Sequence, residues 1–232
     1  MCSTVRYSIS SCTNGVFGML DQLEKEELLP WLINEYKCKQ GIEIGVRDGE
    51  NAARLLQQTD MILYGVDINK WPQIELLKNA YGRRFIFHHT PSNLASDLFD
   101  DGQLDFVYID ACHDYESVMQ DIIIWYPKLK VGGVFSGDDY CNCWNPVEGY
   151  YGIEQAVEDF IYGSDIELHI SGLGVVDRET RIAYANRIGK LHEDNLVLGA
   201  IGSGVNISPE LAANRVRTEG VPVPQWWFIK KE

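Results

Sequence analysis

The sequence predicts an α/β fold, a doubly wound, Rossmann-like sheet that is mostly parallel, with helices on both faces. Three observations carry this. From Gly41 onward, short apolar runs alternate with longer stretches at helical spacing, the order that builds a parallel sheet with crossover helices. The runs are nearly all apolar, as strands buried on both faces must be. The first of them ends in a glycine-bearing turn, Glu43-Ile44-Gly45-Val46-Arg47-Asp48-Gly49, directly before a helical stretch over 51–58.

The elements follow in order. After a polar arm, residues 18–36 carry apolar side chains at helical spacing interrupted by Pro30, which predicts two short helices packed across a sheet edge. Strands are expected over 41–46, 62–66, 84–88, 104–109 and 132–136, with helices near Asn51, Ile74, Ser92 and Tyr115 between them. Residues 152–162 read as a further helix, 166–170 as a strand and 225–229 as an antiparallel last strand. The stretch 171–223 is too long for a plain connection and reads as an insertion, a lid or an oligomer contact. The chain is therefore divided into one domain over 1–232, with an N-terminal arm and helices over 1–40.

Composition narrows the partners. With 232 residues, 45% of them hydrophobic, the chain is long enough to bury one sizeable core. Its formal charge of -14 repels a phosphate backbone and disfavours anionic membrane surfaces, so a small-molecule partner is expected rather than nucleic acid or membrane. The N-terminal 20 residues lack the basic-then-apolar order of a signal peptide, and no apolar run approaches a membrane span. Six irregularly spaced cysteines, in a chain too large to need disulfides, read as reduced thiols. These features together imply a cytoplasmic location.

The chemistry concentrates at strand ends. Gly45 and Gly49 allow a ligand to approach backbone at a helix N-terminus. The dinucleotide fingerprint G-x-G-x-x-G is absent, and Glu43 stands two residues before the first glycine. A carboxylate there repels pyrophosphate but suits the ammonium of a zwitterionic cofactor. Asp67, ending the second strand, is placed to accept ribose hydroxyls across the crevice. An adenosine ligand without phosphates follows from the pair.

At these residues the chain resembles class I S-adenosylmethionine-dependent methyltransferases, with E-x-G-x-x-x-G as first motif and Tyr64-Gly65-Val66-Asp67-Ile68 as second. Phe106-Val107-Tyr108-Ile109-Asp110-Ala111-Cys112-His113-Asp114-Tyr115 and Gly132-Gly133-Val134-Phe135-Ser136-Gly137-Asp138-Asp139-Tyr140 bring it nearer the metal-dependent catechol and macrocin-type O-methyltransferases. The resemblance implies a seven-stranded sheet, with Glu43, Gly45, Gly49, Asp67, Ile68, Ser92 and Asp110 binding the cofactor. It implies that Asp110, Asp138 and Asp139 hold a divalent cation. Three hard oxygen donors at one spot repel one another unless such an ion, Mg²⁺ above all, neutralises them. It further implies His113 as general base, helped by Asp110; an imidazole with an unperturbed pKa near ~6.5 suits that task.

Other features are weighed alongside. His88 and His89 are adjacent on a strand, point to opposite faces and do not form a metal pair. Cys141 and Cys143 lack a second thiol pair for zinc. Tyr140, Trp144, Tyr150 and Tyr151 either roof an acceptor pocket or pack beneath a loop. The expected activity is Mg²⁺-assisted methylation of a small-molecule hydroxyl, on a sugar or a phenol, with a homo-oligomer left open. Alternatives are metal-independent N- or O-methylation and a non-catalytic cofactor-binding scaffold. A nicotinamide oxidoreductase ranks last, for want of the third glycine.

Overall fold

A computed structural model describes residues 23, 25–145, 149–171 and 225–232. In chain order the main elements are α1 (Lys25–Glu35), β1 (Gln40–Ile44), α2 (Glu50–Gln58), β2 (Ile62–Asp67), α3 (Pro72–Tyr81), β3 (Phe85–His89), α4 (Ser92–Ala95), β4 (Leu104–Ile109) and α5 (Tyr115–Trp125). They continue with β5 (Leu129–Gly137), β6 (Asn142–Asn145), β7 (Gly149–Gly152), α6 (Ile153–Ile161), β8 (His169–Ser171) and β9 (Gln225–Ile229). The seven-stranded sheet has the order β3-β2-β1-β4-β5-β9-β8. Strands β1 to β5 pair in parallel, and β9 runs antiparallel to both its neighbours. The doubly wound sheet with an antiparallel last strand is thus as the sequence predicts.

Strand periodicity decides which side chains face which layer. Ile42, Ile44, Val107, Ile109, Phe135, Trp226 and Phe228 pack on one face against Val118, Ile122 and Trp125 of α5 and Ala156 and Val157 of α6. Phe106, Tyr108, Val134 and Trp227 alternate with them on the other face, against Leu28, Leu29, Leu32 and Ile33 of α1 and Leu55 and Leu56 of α2. Each fully buried side chain of this size contributes roughly 1.5–3 kcal/mol. Glu43 is the exception in this pattern, a carboxyl in the central strand on the α1 and α2 side.

The structure differs from expectation in four places, one being that the strand expected over 166–170 begins only at His169. Helix α1 runs through Pro30 without dividing. One lost backbone bond is offset by Leu28, Leu29, Leu32 and Ile33, all buried on one side of the helix. Strand β5 begins at Leu129, three residues early, with the two Gly-Gly residues inside it. The aromatic stretch after β5 is a hairpin, β6 pairing with β7 antiparallel, with Cys143 and Tyr151 in register. The N-terminal arm to residue 22, and the expected insertion beyond Ser171, lie outside the described residues. Among the described residues no helix is long and apolar enough to cross a membrane.

Candidate active site

Parallel strands present their carboxyl ends at one edge, and backbone bonds extend that edge past the strands. Gly45 N donates to Val66 O at 2.9 Å, Asp110 N to Ile44 O at 2.8 Å and Asp138 N to Ile109 O at 3.0 Å. These three bonds place the turns after β1, β4 and β5 side by side. Every candidate residue of the sequence reading except Ser92 stands on these turns, on β1 or at the end of β2.

The first turn is built for close approach. Gly45 has φ of +87°, and a β-carbon on it would lie 2.0 Å from the Asp110 carbonyl oxygen. Gly49 also has positive φ, caps α2, and leaves room for Leu77 Cδ1, which a β-carbon would meet at 2.4 Å. Its smallness therefore serves packing of α2 against α3. Glu43 is buried, accepts a 2.9 Å bond from Asn51 Nδ2 through Oε1, and has no partner for Oε2. Burial pushes its carboxyl up to about 8, against the lowering bond from Asn51 and with the Asp110 and Asp67 charges adding to the rise. An unpartnered buried acceptor of this kind calls for a donor, and an ammonium supplies one.

Asp67 closes the other side of the turn. Its two carboxylate oxygens accept the backbone N–H groups of Arg47 and Asn69, both at 2.7 Å, which orients the group and leaves lone pairs for further donors. Ile68 beside it is 64% exposed. Asp67 pairs with His89 in the sheet, and Thr90 N donates to Asp67 O at 3.1 Å, so the loop carrying Ser92 is tied to the same corner. Ser92 donates to Asp121 Oδ1 at 2.5 Å and accepts from the Trp125 indole at 2.8 Å.

Beyond Gly45, Asp110 faces His113 and Asp139. His113 Nε2 lies 3.5 Å from Asp110 Oδ1 and 3.8 Å from Asp139 Oδ2. Burial, reinforced by the Asp138 and Asp139 charges and opposed by the His113 contact, raises Asp110 to about 6. Asp139 takes a left-handed conformation, φ 50°, and gives its backbone N–H to Asp138 Oδ1 at 2.8 Å. The imidazole thus lies near two of the three carboxylates, and one oxygen of Asp138 accepts the backbone N–H of Asp139. Among the described residues no three His, Cys, Asp or Glu side chains are gathered as a group that could hold a metal ion. The Asp110, Asp138 and Asp139 set does not fit a divalent cation as arranged.

Three residues that sequence reasoning passed over, Asn51, Asp121 and Trp125, and one whose role it left open, Tyr151, complete the site. Asn51 holds Glu43; its only sequence signal is an amide in the first turn of the helix after the glycine turn. Asp121 and Trp125 hold Ser92 from α5, where they look like ordinary positions of an amphipathic helix. Tyr151 packs its ring on His113 with centroids 4.4 Å apart, and Gly152 N donates to His113 O at 2.8 Å. Of the expected aromatic roof, Tyr140 and Tyr151 are buried and Tyr150 is exposed, while the Trp144 side chain lies outside the described residues. A small cavity lined by Cys112, His113, Asp138, Ile153 and Trp226 adjoins the imidazole.

Known proteins agree with this architecture. Residues 42–140, from β1 through the turn after β5, match the family model described as a methyltransferase domain. The chain superposes on the Burkholderia thailandensis 1,6-didemethyltoxoflavin-N1-methyltransferase, solved with bound 1,6-didemethyltoxoflavin and S-adenosylhomocysteine. That likeness has a TM-score of 0.55 and 13% identity, covering 90% of this chain and 79% of that one. A SAM-dependent methyltransferase from Archaeoglobus fulgidus gives a TM-score of 0.50 at 15% identity, covering 89% and 94%. A candidate O-methyltransferase from Klebsiella pneumoniae gives 0.50 at 12%, covering 90% and 80%. At such identities these likenesses establish the fold. No curated protein matches the sequence. The expected resemblance to class I S-adenosylmethionine-dependent methyltransferases holds.

Proposed function

We propose that this chain, with a methyltransferase domain over residues 42–140, transfers a methyl group from S-adenosylmethionine to a hydroxyl of a small molecule, the Asp110–His113 pair taking the hydroxyl proton. The observation that carries the reading is the junction at Gly45. Only a glycine fits against the Asp110 carbonyl, so the turn between Glu43 and Asp67 lies directly beside the Asp110–His113 pair.

The residues suit an adenosyl amino acid. When bound, S-adenosylmethionine supplies an electrophilic methyl group on a sulfonium centre. Glu43, whose Oε2 lacks a partner, would take the ammonium. Asp67, already oriented by Arg47 and Asn69, would take the ribose hydroxyls, with exposed Ile68 against the base. Gly45 keeps the cleft floor free of side-chain atoms.

Proton acceptance falls to Asp110 and His113. A group at about 6 beside an imidazole shares a proton readily near neutrality, and both carboxylates flanking His113 stabilise the imidazolium formed. Tyr151 and the Gly152 bond hold the ring in place. The Mg²⁺-assisted variant of this reading would need Asp110, Asp138 and Asp139 to converge on one ion. Among the described residues these carboxylates are not gathered as a group that could hold an ion, so no step is routed through a metal. Phenols and sugar hydroxyls are the acceptors considered.

Calorimetric titration with S-adenosylhomocysteine, followed by labelled methyl transfer onto phenols and sugars, tests the proposal. Binding together with transfer to oxygen supports it. Absence of product binding overturns the cofactor reading, and transfer to nitrogen alone overturns the acceptor.

A further inference from the structure

Half-buried Ser92 and buried Asp121 and Trp125 form a polar chain that the proton-transfer residues do not use. Asp121 lies on the inward side of α5, 6% exposed, in a helix whose other inward residues are Val118, Ile122 and Trp125. A carboxylate in such a place is costly unless it is given donors. Its donor is the Ser92 hydroxyl at 2.5 Å. The Trp125 indole donates to the same hydroxyl oxygen at 2.8 Å.

The roles in this chain are forced. An indole N–H is a donor only, so Ser92 Oγ accepts from Trp125. An ionised carboxylate is an acceptor only, so the one proton of the Ser92 hydroxyl points to Asp121. Burial raises Asp121 to about 6, against the Ser92 bond, so it is largely ionised above neutrality. A serine hydroxyl has one proton and two lone pairs. With the proton and one lone pair committed, Ser92 keeps a single lone pair and can act toward a ligand only as an acceptor.

The placement of Ser92 in the fold gives that lone pair a use. Ser92 opens α4, three residues beyond His89, which pairs in the sheet with Asp67. The Thr90 to Asp67 backbone bond ties the two loops at the same corner. If Asp67 takes the ribose, the base attached to that ribose extends toward the loop after β3. Adenine presents its exocyclic amine, a donor, along its outer edge, whereas the 6-oxo base hypoxanthine presents an acceptor there.

We infer that Asp121 is a positioning residue for base selection, holding Ser92 as an obligate acceptor that favours the 6-amino base of the cofactor and disfavours a 6-oxo base. The inference rests on the cofactor reading above. Trp125 sets the rotamer by occupying one lone pair, and Asp121 removes the proton that would otherwise let Ser92 donate. A purely structural role for the chain would leave base preference unaltered, because loss of packing weakens both ligands alike.

The test is calorimetry at pH 7.5 with S-adenosylhomocysteine and its 6-oxo analogue, S-inosylhomocysteine. The wild-type chain is expected to prefer the adenosyl ligand by about tenfold, the worth of one hydrogen bond made against one left unpaired. Ser92→Thr, which keeps the hydroxyl, should retain the preference. Ser92→Ala and Asp121→Ala should bring the two ligands within about threefold of each other. Asp121→Leu, which fills the buried space without a charge, serves where the alanine variant is too unstable to purify. Equal binding of both ligands by the wild type, or an unchanged preference in the Ser92→Ala and Asp121 variants, overturns the inference. Failure of the wild type to bind S-adenosylhomocysteine strikes the cofactor reading instead.

Discussion

Gly45 and Asp110 are in contact through their backbones: a β-carbon at Gly45 would stand 2.0 Å from the Asp110 carbonyl oxygen. The contact arises because β1 and β4 are paired neighbours and their turns leave the sheet together, Asp110 N bonded to Ile44 O. It couples the proposed cofactor turn to the proposed proton acceptor at a single point, and substitution there has a calculable consequence.

Gly45→Ala combines a backbone clash with a left-handed conformation that costs on the order of 1–3 kcal/mol for other residues. The expected result is a melting temperature lower by roughly 5 °C and loss of S-adenosylhomocysteine binding. Gly149→Ala is the control, since Gly149 also has positive φ but nothing within 4 Å of a β-carbon. It should lose stability without losing the ligand, and equal behaviour of the two variants would remove the case for a site at Gly45.

Asp67→Ala deletes the acceptor for two backbone N–H groups and the proposed ribose contact. Affinity for S-adenosylhomocysteine is expected to fall on the order of 100-fold, as hydrogen bonds to a charged group imply. Isothermal titration measures it; a change under threefold would place the ribose elsewhere.

Glu43 makes the ligand-free protein sensitive to pH. Its carboxyl is raised from 4.5 to about 8 in the fold. The folded state therefore holds a proton that the unfolded state has released, and stability present below pH 4.5 is lost as pH rises through about 8. Glu43→Gln, neutral at every pH, should melt higher than the wild type at pH 9 while binding S-adenosylhomocysteine more weakly. Thermal melts across this range check both; parallel curves for the two proteins would mean that Glu43 stays ionised.

His113→Gln should lower turnover by about 10²- to 10⁴-fold, the usual worth of general base assistance, while S-adenosylhomocysteine affinity stays within a factor of three. Wild-type turnover is expected to survive EDTA, since the three aspartates are not gathered as a group that could hold an ion. Inactivation by EDTA that Mg²⁺ reverses would falsify the metal-independent reading and restore the three aspartates as ligands.

Tyr151→Ala removes the ring packed on His113, a contact worth about 0.5–1.5 kcal/mol beyond burial. The ring protons of His113 should move in the NMR spectrum of Tyr151→Ala and hold their position in Tyr151→Phe. Unmoved signals in the alanine variant would mean that the Gly152 to His113 backbone bond suffices to place the ring.

Much of this was legible beforehand. Strands β1, β2 and β4 are short, mostly apolar runs in the middle of the sheet, and burial on both faces writes itself into such runs directly. The hairpin of β6 and β7 was not legible, because Tyr140, Tyr150 and Tyr151 suit a loop roof as well as a strand. Pro30 misled in the opposite direction. A local rule ends a helix there, but the buried leucines on either side keep α1 continuous.

By itself, the sequence determined the sheet, its doubly wound order and the residues that end its strands, since Glu43, Gly45, Asp67, Asp110 and Asp138 follow from where apolar runs stop. Only the tertiary structure decided what those residues face. The distances between Asp110, His113 and Asp139, the ring of Tyr151, and the commitment of the Ser92 proton to Asp121 join positions up to 38 residues apart. Hydrophobic patterning records burial one residue at a time, whereas the direction of a hydrogen bond or the gathering of carboxylates around an ion depends on relations among several, which exist only once the turns lie side by side.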